Sequence, residues 1–125
     1  MLTLTVDTNK YTNNPRLSAG ARGYTIGEIN GAIASAGRKL GMLLDTKTKR
    51  AIRIELANEG LNISIDSYKK LTDAELLGLR DAISDGAGQA MLAAWIEQQG
   101  YEGTPIPQQV DEHDQEMMDW DRDDY

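Results

Sequence analysis

The residues of this chain whose types and spacing could do chemistry are chiefly basic. Six of them fall within residues 38–53, opposed only by Asp45: Arg38, Lys39, Lys47, Lys49, Arg50 and Arg53. Lysine and arginine gathered on one surface are the electrostatic signature of a phosphate-binding protein. The cluster therefore predicts a nucleic-acid-binding loop. The alternative is an ordinary solvated loop whose charge is balanced elsewhere on the fold.

Arg22 joins these candidates through the segment around it. Gly20, Ala21, Arg22 and Gly23 form a GxxG sequence ahead of two isoleucines. The segment resembles the GxxG loop with which KH domains clamp the backbone of a single strand. A hairpin and a helix are predicted to follow in the KH order. The resemblance implies binding of single-stranded nucleic acid, and the alternative is simple loop flexibility.

The negative charge of the chain is confined to its C-terminal end. Residues 111–125 hold eight acids and one base, a net charge of 1 − 8 = −7, whereas residues 1–110 hold twelve of each and are neutral. Such a block is expected to be a solvated interaction arm. Its acids surround Met117, Met118 and Trp120, and it ends at Tyr125. It resembles the acidic tails of bacterial and phage single-strand-binding proteins.

Two roles are open to this tail. It could compete with nucleic acid for a basic surface on its own body, or it could dock its aromatic side chains into a partner's pocket while carboxylates steer the approach. A third possibility is that it only increases solubility. The predicted partner-binding residues are Asp119, Trp120, Asp121, Asp123, Asp124 and Tyr125.

The sequence lacks the usual catalytic and metal-binding patterns. The one histidine, His113, lies in the tail and there is no cysteine, so the folded body cannot hold a Ser–His–Asp or Cys–His arrangement. Asp119, Asp121 and Asp123 copy the opening spacing of a calcium loop, but Asp124 stands where that loop needs glycine. We therefore predict that the protein is not an enzyme and has no cofactor and no metal.

The first long helix is predicted to begin at a capping box of Thr25 and Glu28 and to run to about Leu44. A glycine inside a helix costs about 1 kcal/mol relative to alanine. Close packing of a neighbouring element is expected to offset this cost at Gly27, Gly31, Gly37 and Gly41.

The second long helix is predicted to begin at a capping box of Thr72 and Glu75 and to run to about Gln99. Residues 85–88 predict either a kink or a division into two helices. Residues 82–99 also have a spacing compatible with a DNA-reading helix-turn-helix. Residues 87–99 contain no lysine or arginine to contact phosphates or bases, so core packing is favoured.

The remaining patterns predict strands and complete an α+β fold. Leu2, Leu4 and Val6 alternate as in a short strand, and Arg50–Asp66 alternates as a β-hairpin. The predicted fold is a small antiparallel sheet, made of the N-terminal strand plus the β-hairpin, packed by two long helices. Residues 1–24 form a strand and flexible arm, 25–99 a globular α-ββ-α core, and 100–125 a linker and disordered acidic tail.

These observations favour a non-enzymatic nucleic-acid-associated accessory protein of the kind found in phages or mobile elements. Single-stranded nucleic acid and a basic protein that contacts the tail are its candidate partners. The alternative is a protein–protein interaction module, either an inhibitor that mimics nucleic-acid charge or a particle subunit. The longest apolar run, residues 90–96, is too short to cross a membrane, so a cytoplasmic location without membrane contact is expected. Oligomerisation stays open.

Overall fold

The computed structural model describes residues 4–13 and 16–106. Within these ranges the chain is mostly helical, with four α-helices and one two-stranded antiparallel sheet. In chain order the elements are α1 (Ala19–Lys39), β1 (Met42–Leu43), α2 (Thr46–Leu61), α3 (Asp73–Ser84), α4 (Gly86–Gln99) and β2 (Thr104–Pro105). Short 3-10 turns, Asn9–Tyr11 and Tyr68–Lys70, precede α1 and α3. No helix in the described ranges is long and apolar enough to cross a membrane.

The first helix begins earlier than predicted, because Ser18 caps it. The Ser18 hydroxyl accepts a hydrogen bond from the Ala21 amide at 3.1 Å, and such a bond satisfies one of the free amides of a helix start. The Thr25 hydroxyl instead donates to the Ala21 carbonyl at 2.9 Å. Glu28 accepts from Arg80 of α3 at 3.3 Å. The predicted capping box at Thr25 and Glu28 is therefore wrong.

The glycines of α1 differ in what surrounds them. A Cβ at Gly37 would lie 2.8 Å from Leu44 Cδ1, so the predicted close packing is confirmed there. A Cβ at Gly31 would meet no atom within 4 Å. Gly41 lies beyond the end of the helix with a φ of +78°, a conformation that favours glycine at a turn.

The predicted β-hairpin at Arg50–Asp66 is wrong, because most of this segment is helix α2. Asp45 caps α2 by accepting from the Thr48 amide at 2.7 Å. Asn62, with a φ of +54°, ends the helix in the left-handed conformation typical of such positions. The helix buries residues at three- and four-residue steps: Lys49, Ile52, Arg53, Leu56 and Ala57. Two of these buried residues are basic. Counting only the apolar residues therefore does not reveal the helical period.

The second half of the predicted hairpin runs extended against the end of α2 without pairing as a strand. The Asn58 side chain substitutes for a strand partner, since its Oδ1 accepts from the Ile65 amide at 2.8 Å. Ile63 and Ile65 are half-buried and pack against the core. The alternation of apolar residues in 61–65 therefore reflects one contact face of an extended segment.

The helix pair α3–α4 starts as predicted and is divided at Asp85. The capping box of Thr72 and Glu75 is confirmed, with hydrogen bonds of 3.1 and 2.8 Å in the two directions. Asp85 ends α3 and also caps α4 by accepting from the Gly88 amide at 2.7 Å. Of the two predicted outcomes at residues 85–88, the division into two helices is the one observed.

The core lies where α1 packs against the other three helices. Its largest fully buried side chains are Ile29, Ile33, Ile52, Leu56, Leu76, Leu79, Ile83, Leu92, Trp95 and Ile96. Every helix contributes at least two of them, so the folded body is held by one shared apolar centre.

The strands observed are not those predicted. Met42 pairs with Pro105 and Leu43 with Thr104, which joins the α1–α2 connection to the segment after α4. Leu4 and Val6 pack against the core without forming a strand in the described residues, and Leu2 lies outside them. The coarse prediction of helices with a small antiparallel sheet is confirmed, whereas the sheet's predicted composition is wrong.

Candidate functional site

The six basic residues predicted as one cluster are divided between the two faces of α2 and the end of α1. Lys49 and Arg53 are buried, with 3% and 4% of their surface exposed. Lys39, Lys47 and Arg50 are exposed, and Arg38 is half-buried. The expectation that all six share one exposed surface is therefore wrong. The remaining four residues flank the α1–α2 connection and form its basic rim: Arg38, Lys39, Lys47 and Arg50.

Arg53 is a structural residue that joins α2 to α1 and to the 3-10 turn before α3. Its Nη1 donates to Asn30 Oδ1 at 3.1 Å. Its guanidinium lies 5.1 Å from the centre of the Tyr68 ring, within the range of a cation–π contact. The Tyr68 hydroxyl donates to the Arg53 carbonyl at 2.7 Å. Arg53 is thus buried by contacts within the fold and is not presented to phosphates.

Burial raises the pKa of Tyr68 far above its ordinary value near 10, which gives a testable pH dependence. The unfolded chain ionises this phenol above pH 10 and the folded chain does not, so stability is complete below pH 10 and falls as the pH rises further. At pH 11 the loss from Tyr68 is expected to be about 1–2 kcal/mol. Urea unfolding at pH 9 and pH 11 measures it.

The matched variants for this experiment are Tyr68→Phe and Tyr24→Phe. Tyr68→Phe should be less stable at pH 9 by about 1 kcal/mol for the lost hydrogen bond, but should lose less on going to pH 11. Tyr24 is 71% exposed, so Tyr24→Phe should retain the whole alkaline loss. An equal loss in the wild-type and Tyr68→Phe chains would contradict the assignment.

Arg22 is also a structural residue. It forms an ion pair with Asp73 at the start of α3 and donates to the carbonyls of Tyr68 and Leu71 at 3.1 and 2.9 Å. A hydrogen bond from the Leu17 amide, together with the Arg22 side chain, lowers the pKa of Asp73. Residues 20–23 lie inside α1 and form no loop. The fold therefore does not reproduce the feature behind the KH resemblance.

The outward face of α2 forms an open groove with the segment that follows α4. Its volume is about 550 Å³, and it is lined by Lys47, Arg50, Ala51, Ile54, Glu55, Asn58 and Tyr101. The six helical residues recur at three- and four-residue steps, opposite the buried stripe of the same helix. This α2 groove combines two cations at one end, an apolar centre, and the carboxylate of Glu55.

Tyr101 forms the wall of the α2 groove and is fixed from two sides. Its hydroxyl donates to Glu55 Oε2 at 2.7 Å. Its ring centre lies 6.3 Å from that of Trp95, whose indole donates to Glu59 at 3.3 Å. Burial, the hydrogen bond to Glu55 and the negative charge of Glu55 and Glu59 together raise the pKa of the Tyr101 hydroxyl. A fixed aromatic ring in the same groove as two cations suits a ligand with both an apolar and an anionic part.

The described part of the chain ends beside the basic rim. The Ile106 amide donates to the Gly41 carbonyl at 3.0 Å, one residue after β2 pairs with β1. The last described residue before the acidic segment, Ile106, therefore lies next to the α1–α2 connection. The predicted tail residues lie outside the described residues: Asp119, Trp120, Asp121, Asp123, Asp124 and Tyr125.

Two further expectations concern chemistry and partners. Within residues 4–13 and 16–106, no group of three or more histidine, cysteine, aspartate or glutamate side chains could hold a metal ion. The predicted lack of catalysis and cofactor stays a prediction. Only Asp85 separates α3 from α4, which is shorter than the three- to four-residue turn of a helix-turn-helix, and α4 carries no lysine or arginine.

Five groove residues were not predicted from the sequence: Ala51, Ile54, Glu55, Asn58 and Tyr101. The signal for the α2 part was the step from Lys47 through Arg50 and Ile54 to Asn58, which marks a helix face once the segment is read as a helix. Comparisons with protein-family models, curated proteins and solved structures find no match to this chain.

Proposed function

We propose that the protein is a non-enzymatic accessory protein that binds single-stranded nucleic acid along the basic rim and the α2 groove. The single observation that supports this most is that Lys47, Arg50 and the Tyr101 ring line the same groove. Proteins that bind single strands without strong sequence preference combine cations for the backbone with aromatic rings on which bases stack. The neutral charge of residues 1–110 limits the affinity, so binding is expected to be weak and sensitive to salt.

The acidic tail has a regulatory role in this proposal. It carries the whole net charge of the chain, and the last described residue before it, Ile106, lies beside the basic rim. A tethered anionic segment competes with a free polyanion at an effective concentration that reaches millimolar for short connections. The tail therefore weakens binding to nucleic acid until another partner removes it.

The binding proposal is tested by reversing the two groove cations in the full chain. In Lys47→Glu/Arg50→Glu, the affinity for a fluorescent single-stranded oligonucleotide should fall about tenfold or more, because two phosphate contacts become repulsive. Fluorescence anisotropy at low salt measures the affinity. The matched control is Lys69→Glu/Lys70→Glu, which makes the same change in net charge at two exposed lysines.

The control pair lies on the 3-10 turn whose Tyr68 contacts the opposite, inward face of α2. Lys70 forms only an exposed ion pair with Asp66, so the control should fold normally. Equal loss of affinity in the two variants would indicate a general charge effect and would contradict a defined binding surface.

A second candidate function is a protein-interaction module. The observation that favours it is the carboxylate of Glu55 in the α2 groove, which repels a polyanion and suits a peptide of mixed charge. In that case the intact chain, the groove variant and the control variant would all fail to bind DNA and RNA. A basic protein would instead be retained by the intact chain and released by neutralising the tail.

A further inference from the structure

We propose that the α2 groove is the docking site of this chain's own C-terminal segment, with Trp120 seated between Ile54 and Tyr101. The flanking aspartates, Asp119 and Asp121, would then face Lys47 and Arg50. The regulatory meaning of this contact rests on the proposed function, because the docked segment and a nucleic-acid strand need the same two cations.

The chemistry of the groove selects an occupant that is both aromatic and acidic. Its centre is apolar, formed by Ala51, Ile54 and the Tyr101 ring, and its cations lie toward the start of α2. Its volume of about 550 Å³ lies within the range of sites that hold a compact ligand. An aromatic side chain would cover the apolar centre, while neighbouring carboxylates would complement the positive charge of the cations.

The C-terminal segment matches this selection residue by residue. Of the two tryptophans, Trp95 is buried in the core and Trp120 lies outside the described residues. Asp119 and Asp121 adjoin it directly and complement the charge of the two cations. The one base of the segment, Arg122, complements the carboxylate of Glu55. The match therefore covers both signs of charge as well as the apolar centre.

The length of the chain between the groove and Trp120 permits this contact. Ile106 is held beside the α1–α2 connection, and Tyr101, five residues earlier, already lines the groove. Residues 107–120 are fourteen residues, which span at most about 50 Å when extended. The sixteen residues of α2 are only about 24 Å long. The segment is therefore long enough to reach every part of the groove without disturbing β2.

The fluorescence of Trp120 in the full chain tests the docking without any nucleic acid. A Trp120→Phe variant reports Trp95 alone, and subtraction from the wild-type spectrum isolates Trp120. A docked Trp120 should emit at shorter wavelength than a free indole and should resist quenching by acrylamide severalfold better. Both properties should be lost in 1 M NaCl, because salt screens the ion pairs that hold the aspartates.

Two variants locate the contact. Lys47→Glu/Arg50→Glu should move the Trp120 emission to longer wavelength, whereas Lys69→Glu/Lys70→Glu should leave it unchanged; circular dichroism confirms that both are folded. Trp120 that is fully quenched in the wild-type chain, or equally protected in both variants, would overturn the proposal. Protection that grows with protein concentration would also overturn it, in favour of a second copy as the occupant.

The outcome separates this inference from the proposed function. A free Trp120 together with oligonucleotide binding at Lys47 and Arg50 would reject only the docking. A docked Trp120 in a chain that ignores every oligonucleotide would confirm the docking and reject the nucleic-acid proposal.

Discussion

Gly88→Ala is expected to destabilise the protein by about 3 kcal/mol or more, although alanine is the better helix former. A Cβ at Gly88 would lie 2.0 Å from the Ala82 carbonyl oxygen and 2.9 Å from the Ala82 carbonyl carbon. Both atoms belong to the backbone of α3, so the clash cannot be relieved by rotating a side chain. The first turn of α4 would have to move away from α3, and the core contacts of Leu92 would move with it.

Gly86→Ala is the matched control, two residues away in the same turn. A Cβ at Gly86 would meet no atom within 4 Å. The control should therefore be neutral or gain up to about 1 kcal/mol from the better helix propensity of alanine. Urea unfolding of the two variants measures the difference. Equal stability of Gly88→Ala and Gly86→Ala would show that α3 and α4 do not meet at this turn.

Ile52→Ala is expected to cost about 3 kcal/mol, because the Ile52 side chain on the inward face of α2 is fully buried in the core. Ile54→Ala should cost less than about 1.5 kcal/mol, since Ile54 is half-buried and lines the α2 groove. Thermal unfolding by circular dichroism compares the two. A hairpin would place both isoleucines on one buried face, so similar large losses would contradict the helix and its two faces.

The sequence was most informative where one local hydrogen-bond pattern determines the outcome. The capping box at Thr72 and Glu75 needs only a hydroxyl and a carboxylate three residues apart, and it starts α3 as predicted. The same spacing at Thr25 and Glu28 failed. Ser18 caps the helix about two turns upstream, and Arg80, distant in sequence, pairs with Glu28. A local pattern cannot reveal a competing cap or a distant partner.

The error at α2 has a definite physical cause. Ile52, Ile54 and Leu56 alternate, which favours a strand when only apolar residues are counted. The helical period appears only when Lys49 and Arg53 are included in the buried stripe. Long basic side chains bury their aliphatic stems readily, and Arg53 gains the Tyr68 ring and Asn30 as partners. Those partners come from other parts of the fold, so the sequence alone did not indicate them.

Only part of the candidate site was predicted, because the rest of it is brought together by contacts between parts of the chain that are distant in sequence. Lys47 and Arg50 were identified as basic residues near a connection, and they line the α2 groove. Tyr101 was missed because β2 returns it to α2 through a pairing with β1 that only two residues of each strand form. Such a short pairing leaves no alternating pattern in the sequence.

The salt dependence of single-strand binding tests the central claim most directly. A full-length variant with Asp119, Asp121, Asp123 and Asp124 changed to asparagine has a weakened tail and an intact body. It should bind a single-stranded oligonucleotide about tenfold or more tighter than the wild-type chain, since the tethered competitor is weakened. With four contacts from the basic rim, the log–log salt slope should be about −3, at about −0.7 for each phosphate. Negligible binding by both chains at low salt, or binding whose affinity does not change with salt, would contradict the account.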